Sequence, residues 1–213
     1  MKNNRNDLTE LVFILDRSGS MSGLEADTIG GFNSLIKDQR QTEGKALVTT
    51  VLFDTEFIYV HDRADIGTIA PMTERDYVPR GCTALLDAVG RTIRHIAGIH
   101  KYARPEDVPA KTIFVITTDG MENASREFSY NKVKALIEKE QKKYGWEFIF
   151  LGANIDAAAT AGSMGIEHAS NYKADESGTR LMYGAVNKAV RCMRKCAPMP
   201  ADWNAEMEED AKR

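Results

Sequence analysis

The run Leu11-Val12-Phe13-Ile14-Leu15-Asp16-Arg17-Ser18-Gly19-Ser20 decides the reading of this chain. Its short β-rich first half predicts a strand. That strand ends in a carboxylate and two alternating hydroxyls, so hard oxygen ligands are delivered into the loop at its C-terminal end. Two more fragments complete the outline of a metal site: Gly81-Cys82-Thr83, and Thr117-Thr118-Asp119-Gly120 at the end of the apolar run Ile113-Phe114-Val115-Ile116. Between them the fragments offer three hydroxyls and two carboxylates.

Outward from these fragments, helix and strand alternate. Leu24 to Gln41 carries Ile29, Phe32, Leu35 and Ile36 at amphipathic helical spacing, and Gly44 marks the exit. Lys45 to Phe53 is rich in β-formers, and Asp54-Thr55 separates it from Phe57-Ile58-Tyr59-Val60, which predicts a hairpin with an antiparallel edge strand. Ile66 to Val78 contains Pro71 and precedes Pro79, so an irregular connection is expected. Thr83 to Ile99 returns to helical periodicity, Lys111 to Thr118 is the most clearly buried strand, and Ser129 to Lys143 is a helix with a solvated Lys and Glu face. Trp146 to Leu151 is a strand, Gly152-Ala153-Asn154 a turn, Ile155 to Gly162 a short helix, His168 to Tyr172 a weak strand and Ser177 to Lys195 a C-terminal helix. This order predicts an α/β fold: a doubly wound, mostly parallel central sheet with one antiparallel edge strand and helices on both faces. Residues 1–200 are expected to form one domain, and the charged tail Ala201 to Arg213 to be frayed or loosely docked.

Lys and Arg (28) nearly balance Asp and Glu (31), for a formal net charge of −3, so the basic surplus that drives phosphate-backbone binding is missing. Nucleic acid is therefore not an expected partner. Met1 to Asp7 is polar, without the apolar stretch of a signal peptide, and no apolar run reaches bilayer length, so a cytoplasmic protein without a membrane partner is expected. Cys82, Cys192 and Cys196 are odd in number and suggest reduced thiols. Cys192 and Cys196 are spaced to share one helix face, where they read as small packing residues ahead of a soft-metal or redox pair. Cys82 also reads as packing, and His61, His95, His100 and His168 are too dispersed for a zinc site.

In a doubly wound sheet, ligands sit beyond the carboxyl ends of the strands, where the winding direction reverses. Asp16 and Asp119 both lie at such ends, and Thr83 can close a ring from the loop before its helix. These residues resemble the metal-ion-dependent adhesion site of the von Willebrand factor A (vWA) domains, whose pattern is Asp-x-Ser-x-Ser, a distant Thr and a distant Asp-Gly. Asp16, Ser18, Ser20, Thr83 and Asp119 fill the five positions, with Gly120 following, and the element order matches from about Leu8 to Gly165. The resemblance implies that Ser18, Ser20 and Thr83 bind the ion through their hydroxyls and that Asp16 and Asp119 act partly through ordered water. Neutral hydroxyl donors leave the ion much of its charge, and so a demand for one further oxygen. Mg²⁺ suits such a site because it favours octahedral oxygen coordination and retains exchangeable waters, and Mn²⁺ or Ca²⁺ fits the same atoms. Taken singly, each fragment has a plainer reading: the serines and Thr83 as helix caps, Asp119-Gly120 as a turn. Glu122 and Asn123 are candidates for tuning the site or meeting a partner, with a solvated loop as the alternative. Arg17 reads either as a guide for an acidic partner or as an ordinary exposed charge.

The resemblance implies a metal-dependent protein-binding module, similar to the stand-alone vWA proteins of bacteria and phages, that takes an Asp or Glu of its partner through the ion. Such relatives often serve in multi-protein assemblies. The rival from another class is a Mg²⁺-dependent phosphohydrolase with Asp16 as nucleophile. Ser18 stands where aspartyl-phosphate enzymes carry a second acid, and no Lys-bearing glycine loop is present. A module that binds no ion is the third possibility, and the full set of five ligands argues against it.

Overall fold

The computed structural model describes residues 7–212, so the polar N-terminal segment, apart from Asp7, and Arg213 lie outside the description. Strand β1 (Thr9–Asp16) is buried along its whole length. It is followed by α1 (Glu25–Arg40), β2 (Ala46–Phe53), β3 (Phe57–Asp65), α2 (Leu85–Tyr102), β4 (Lys111–Thr118), α3 (Tyr130–Tyr144), β5 (Glu147–Gly152), α4 (Ala157–Ser163), β6 (His168–Asn171), α5 (Glu176–Arg194) and α6 (Ala205–Ala211). The strands form one six-stranded sheet in the order β3-β2-β1-β4-β5-β6. Every neighbouring pair is parallel except β2 with β3.

Because successive strand residues point to opposite faces, β1 feeds two separate cores. Leu11, Phe13 and Leu15 face a layer that holds Phe32 and Leu35 of α1 with Met182, Val186 and Val190 of α5. Val12 and Ile14 face Leu85, Val89 and Ile93 of α2 with Val133 and Ile137 of α3. Phe13 meets Phe32 edge-on at 5.4 Å, and Phe114 stacks on Phe148 at 4.8 Å. At roughly 1.5–3 kcal/mol per fully buried large apolar side chain, these two layers supply the main drive for folding. They also hold the strand ends in place. The winding reverses between β1 and β4, whose register sets Leu15 opposite Thr117 and so brings the ends carrying Asp16 and Asp119 side by side.

Four features depart from the sequence reading. The edge strand β3 continues past Val60 to Asp65: an edge faces water on one side, so His61, Asp62 and Arg63 are tolerated, and a register irregularity with Arg63 at φ 49° accommodates the extra length. The tail is not frayed, since α6 buries Met207 to 1 % exposure and packs against α5 and β6. Met199 and Trp203, just before the helix, pack against the same core cluster as Met207. Cys192 and Cys196 do not share a helix face, because α5 ends at Arg194 and Cys196 lies beyond it at φ 56°, exposed. Cys82 is likewise exposed and does not pack. Among the described residues no helix is long and apolar enough to cross a membrane.

Candidate metal centre

Asp16 closes β1 and is fully buried, as are Ser18 and Thr83 to within 3 % exposure, while Ser20 opens to solvent. The carboxylate of Asp16 is held at both oxygens: Ser18 N–H donates to Oδ1 at 2.6 Å and Thr118 Oγ1 to Oδ2 at 2.5 Å. Its backbone oxygen accepts a hydrogen bond from the Tyr77 hydroxyl. Ser18 Oγ lies 3.1 Å from Ser20 Oγ, and Ser20 Oγ donates to Asp119 Oδ1 at 2.6 Å. Thr83 enters through Gly120: a Cβ built there would sit 3.2 Å from Thr83 Oγ1 and 3.3 Å from Ser20 Oγ. Glycine therefore keeps open the spot on which the two hydroxyls converge. The five residues singled out in the sequence are thus gathered at one place, across three loops.

Capping does not explain them. No side-chain cap bond is made at the start of α1 or of α2, and Ser22 Oγ bonds Gly19 O instead. The N-terminal N–H groups of α2 are taken by residues from the loop after β4: Glu122 Oε2 accepts from Leu86 N–H at 2.9 Å and Ser125 Oγ from Asp87 N–H at 3.0 Å. Asp87 returns the clamp, accepting from the backbone N–H groups of Arg126, Glu127 and Phe128 at 2.9 Å each. Asn123 Oδ1 accepts from Thr83 N–H at 3.0 Å, and Thr83 O accepts from the N–H groups of Asn123 and Ala124. Half-buried Glu122 and solvent-exposed Asn123 thus act through these bonds to lock Thr83 against the Asp119 loop. On the other side, Gly81, at φ 66° and with Thr55 Oγ1 only 2.7 Å from where a Cβ would lie, lets the Thr83 loop pass close to the hairpin turn. These clamps, with Thr118 and Tyr77, are what reading the sequence misses. Their only local signal is polar residues clustered beside Asp119 and at the start of α2.

The electrostatics are those of an unneutralised acid pair. Burial pushes the Asp16 carboxyl from its ordinary 3.8 up to about 6, against the lowering effect of its hydrogen bonds, and nearby Asp119 pushes it the same way. Asp119 is also raised, chiefly by burial. The nearest arginine in sequence does not relieve them. Arg17 is not an exposed charge but is 4 % exposed and lies against Asp54, with Nε 2.9 Å from Oδ2. Among the described residues no group of three or more His, Cys, Asp or Glu gathers as a conventional metal cluster, so any cation here has to be held largely by hydroxyls.

No protein-family model matches the chain, and no curated protein does. Solved structures do match. Manganese-loaded TRAP protein of Plasmodium vivax superposes with TM-score 0.54 at 15% identity, covering 83% of this chain and 72% of that one. Proximal thread matrix protein 1 from the mussel byssus, with a zinc-occupied MIDAS motif, gives 0.58 at 13% identity over 84% of this chain and 47% of its own. The ArnB paralog VWA2 from Sulfolobus acidocaldarius gives 0.56 at 13% identity over 85% and 44%. The chain spans under half the length of the mussel and Sulfolobus proteins. At such identities the likeness is one of fold: the six-stranded sheet with one antiparallel edge is the Rossmann-like vWA fold.

Proposed function

We propose that this chain is a metal-dependent protein-binding module. A divalent cation, Mg²⁺ in the cell with Mn²⁺ or Ca²⁺ as substitutes, is held by the hydroxyls of Ser18, Ser20 and Thr83, with Asp16 and Asp119 acting partly through water. The ion supplies one thing: an electrophilic position for an Asp or Glu of a protein partner. The observation that carries this reading is the convergence of Ser20 and Thr83 hydroxyls beside the two acids at the space Gly120 leaves open. The donor set fits a hard cation, since two buried carboxylates with raised pKa lie together among neutral donors and gain most from an external positive charge. Two neighbours of like fold, one manganese-loaded and one with a zinc-occupied MIDAS motif, lend support to a divalent ion.

Adhesion rather than catalysis follows from Asp16. A phosphohydrolase would need this carboxylate as a free nucleophile, whereas it is fully buried with both oxygens engaged. We place residues 1–200 in one vWA-type domain of the stand-alone bacterial and phage kind, working in the cytoplasm within a multi-protein assembly. Calorimetry with Mg²⁺ and Mn²⁺ on the native chain and on Ser18→Ala/Ser20→Ala tests the reading. Single-site uptake lost in the variant supports it, and no uptake by either protein rejects it. Turnover of phosphate esters abolished by Asp16→Ala would favour the hydrolase instead.

A further inference from the structure

Next to the Asp16 loop, on the side of the edge strand, lies a second feature that the metal reading does not use. A cavity of about 500 Å³ is lined by Arg17, Arg75, Arg80 and Asp76, with Ile58 and Val78 beside them. The Arg17 side chain is 5 % exposed, and although its Nε lies 2.9 Å from Asp54 Oδ2, neither Nε nor Nη2 has a hydrogen-bond partner. Buried guanidinium donors left unsatisfied are costly, so this one is short of an acceptor. The neighbouring carboxylates have little to spare. Asp54 Oδ2 also meets Arg80 Nε at 3.1 Å, and its Oδ1 takes Glu56 N–H at 2.5 Å. Arg80 Nη2 reaches Glu56 as well, and Asp76 Oδ2 takes Thr73 N–H and Oγ1 at 2.8 and 2.7 Å. Ile58 and Val78, 37 % and 50 % exposed, are among the few large apolar side chains that face solvent, and both border this cavity.

One buried guanidinium short of acceptors, Arg17, flanked by the exposed guanidinium groups of Arg75 and Arg80 and bordered by two exposed aliphatic side chains, matches a carboxylate with an apolar neighbour. We infer that this cavity receives an Asp or Glu side chain of the protein partner, followed in that partner by an aliphatic residue, as a second anchor beside the metal loop. That the occupant is a protein rests on the proposed partner-binding function; the cavity itself needs no cation. Recognition here sets which acidic partner is accepted, because a lone carboxylate on an ion distinguishes few sequences.

The test is an NMR titration of the arginine Nε–H signals of the full chain with N-acetyl-Glu-Leu-amide, in EDTA and again in Mg²⁺. The expected result is a saturable millimolar shift in EDTA, at least tenfold weaker with N-acetyl-Gln-Leu-amide, and at least threefold weaker in Arg75→Gln and in Arg80→Gln. Both arginines are exposed, so these variants keep the wild-type circular dichroism. Equal response to the Glu and Gln peptides, no saturable shift, or saturation by inorganic phosphate where the peptide gives none would overturn the inference. Absence of Mg²⁺ uptake in calorimetry would sink the metal reading while leaving the EDTA titration intact, so the two failures are distinguishable.

Discussion

Glu10 and Asp16 stand near opposite ends of the same strand, an even number of residues apart and hence on the same face, and neither exposes any surface. Their surroundings differ. Glu10 Oε1 takes Arg63 Nε at 2.8 Å and Oε2 lies 2.6 Å from His100 Nε2, so β3 and α2 bring basic groups to it. Asp16 has only neutral donors, Ser18 N–H and Thr118 Oγ1, and a second acid nearby. A buried carboxylate without a cation is held at a cost. One end of β1 is electrostatically complete; the other carries an unneutralised charge, where the proposed cation would sit.

The largest effect is expected from breaking the complete end. Removing both partners of Glu10 in Arg63→Leu/His100→Leu leaves an uncompensated buried charge and should cost about 3–5 kcal/mol in urea unfolding, with or without metal. The same operation at the other end has the opposite sign. Asp16→Asn should raise the stability of the metal-free protein near pH 7.5 by about 1–3 kcal/mol and abolish metal-induced stabilisation. The pH dependence follows from the raised value: the folded state holds the Asp16 proton more tightly than the unfolded state does. That contribution is fully present below the ordinary 3.8 and is lost as pH rises through about 6. The melting temperature of the metal-free wild type should therefore fall between pH 4 and pH 7, and the fall should be smaller in Asp16→Asn, where only the raised Asp119 still contributes. Metal affinity should fall as pH drops below about 6, where proton and ion compete for the site.

Smaller changes sharpen the contrast. Thr118→Val removes the donor that orients Asp16 Oδ2 and should weaken Mg²⁺ binding about 10-fold or more by calorimetry, because groups that orient ligands matter nearly as much as the ligands. Glu122→Gln loosens the clamp on the first turn of α2 and should cost about 1 kcal/mol, with a few-fold loss of Mg²⁺ affinity through Thr83.

What sequence reading reaches, and what it misses, divides along the same line. The apolar runs at Leu11 and Ile113 and the hydroxyls just past the first of them reveal the strands and the five oxygen-bearing residues, because periodicity and strand ends are local signals. The clamp of Glu122, Asn123 and Asp87 escapes, since each bonds backbone some forty residues away and so resembles ordinary loop polarity. Arg17 misleads for a related reason: its burial beside Asp54 is decided by the hairpin folding over it. Trp203 and Met207 are the only large apolar residues in a charged run, too weak a pattern to announce that α6 docks.

The most direct test of the central claim is anomalous scattering from crystals grown with Mn²⁺. A single strong peak is expected among Ser18 Oγ, Ser20 Oγ and Thr83 Oγ1, beside Asp16 and Asp119. A fully occupied manganese elsewhere on the chain, with none at this spot, would contradict it.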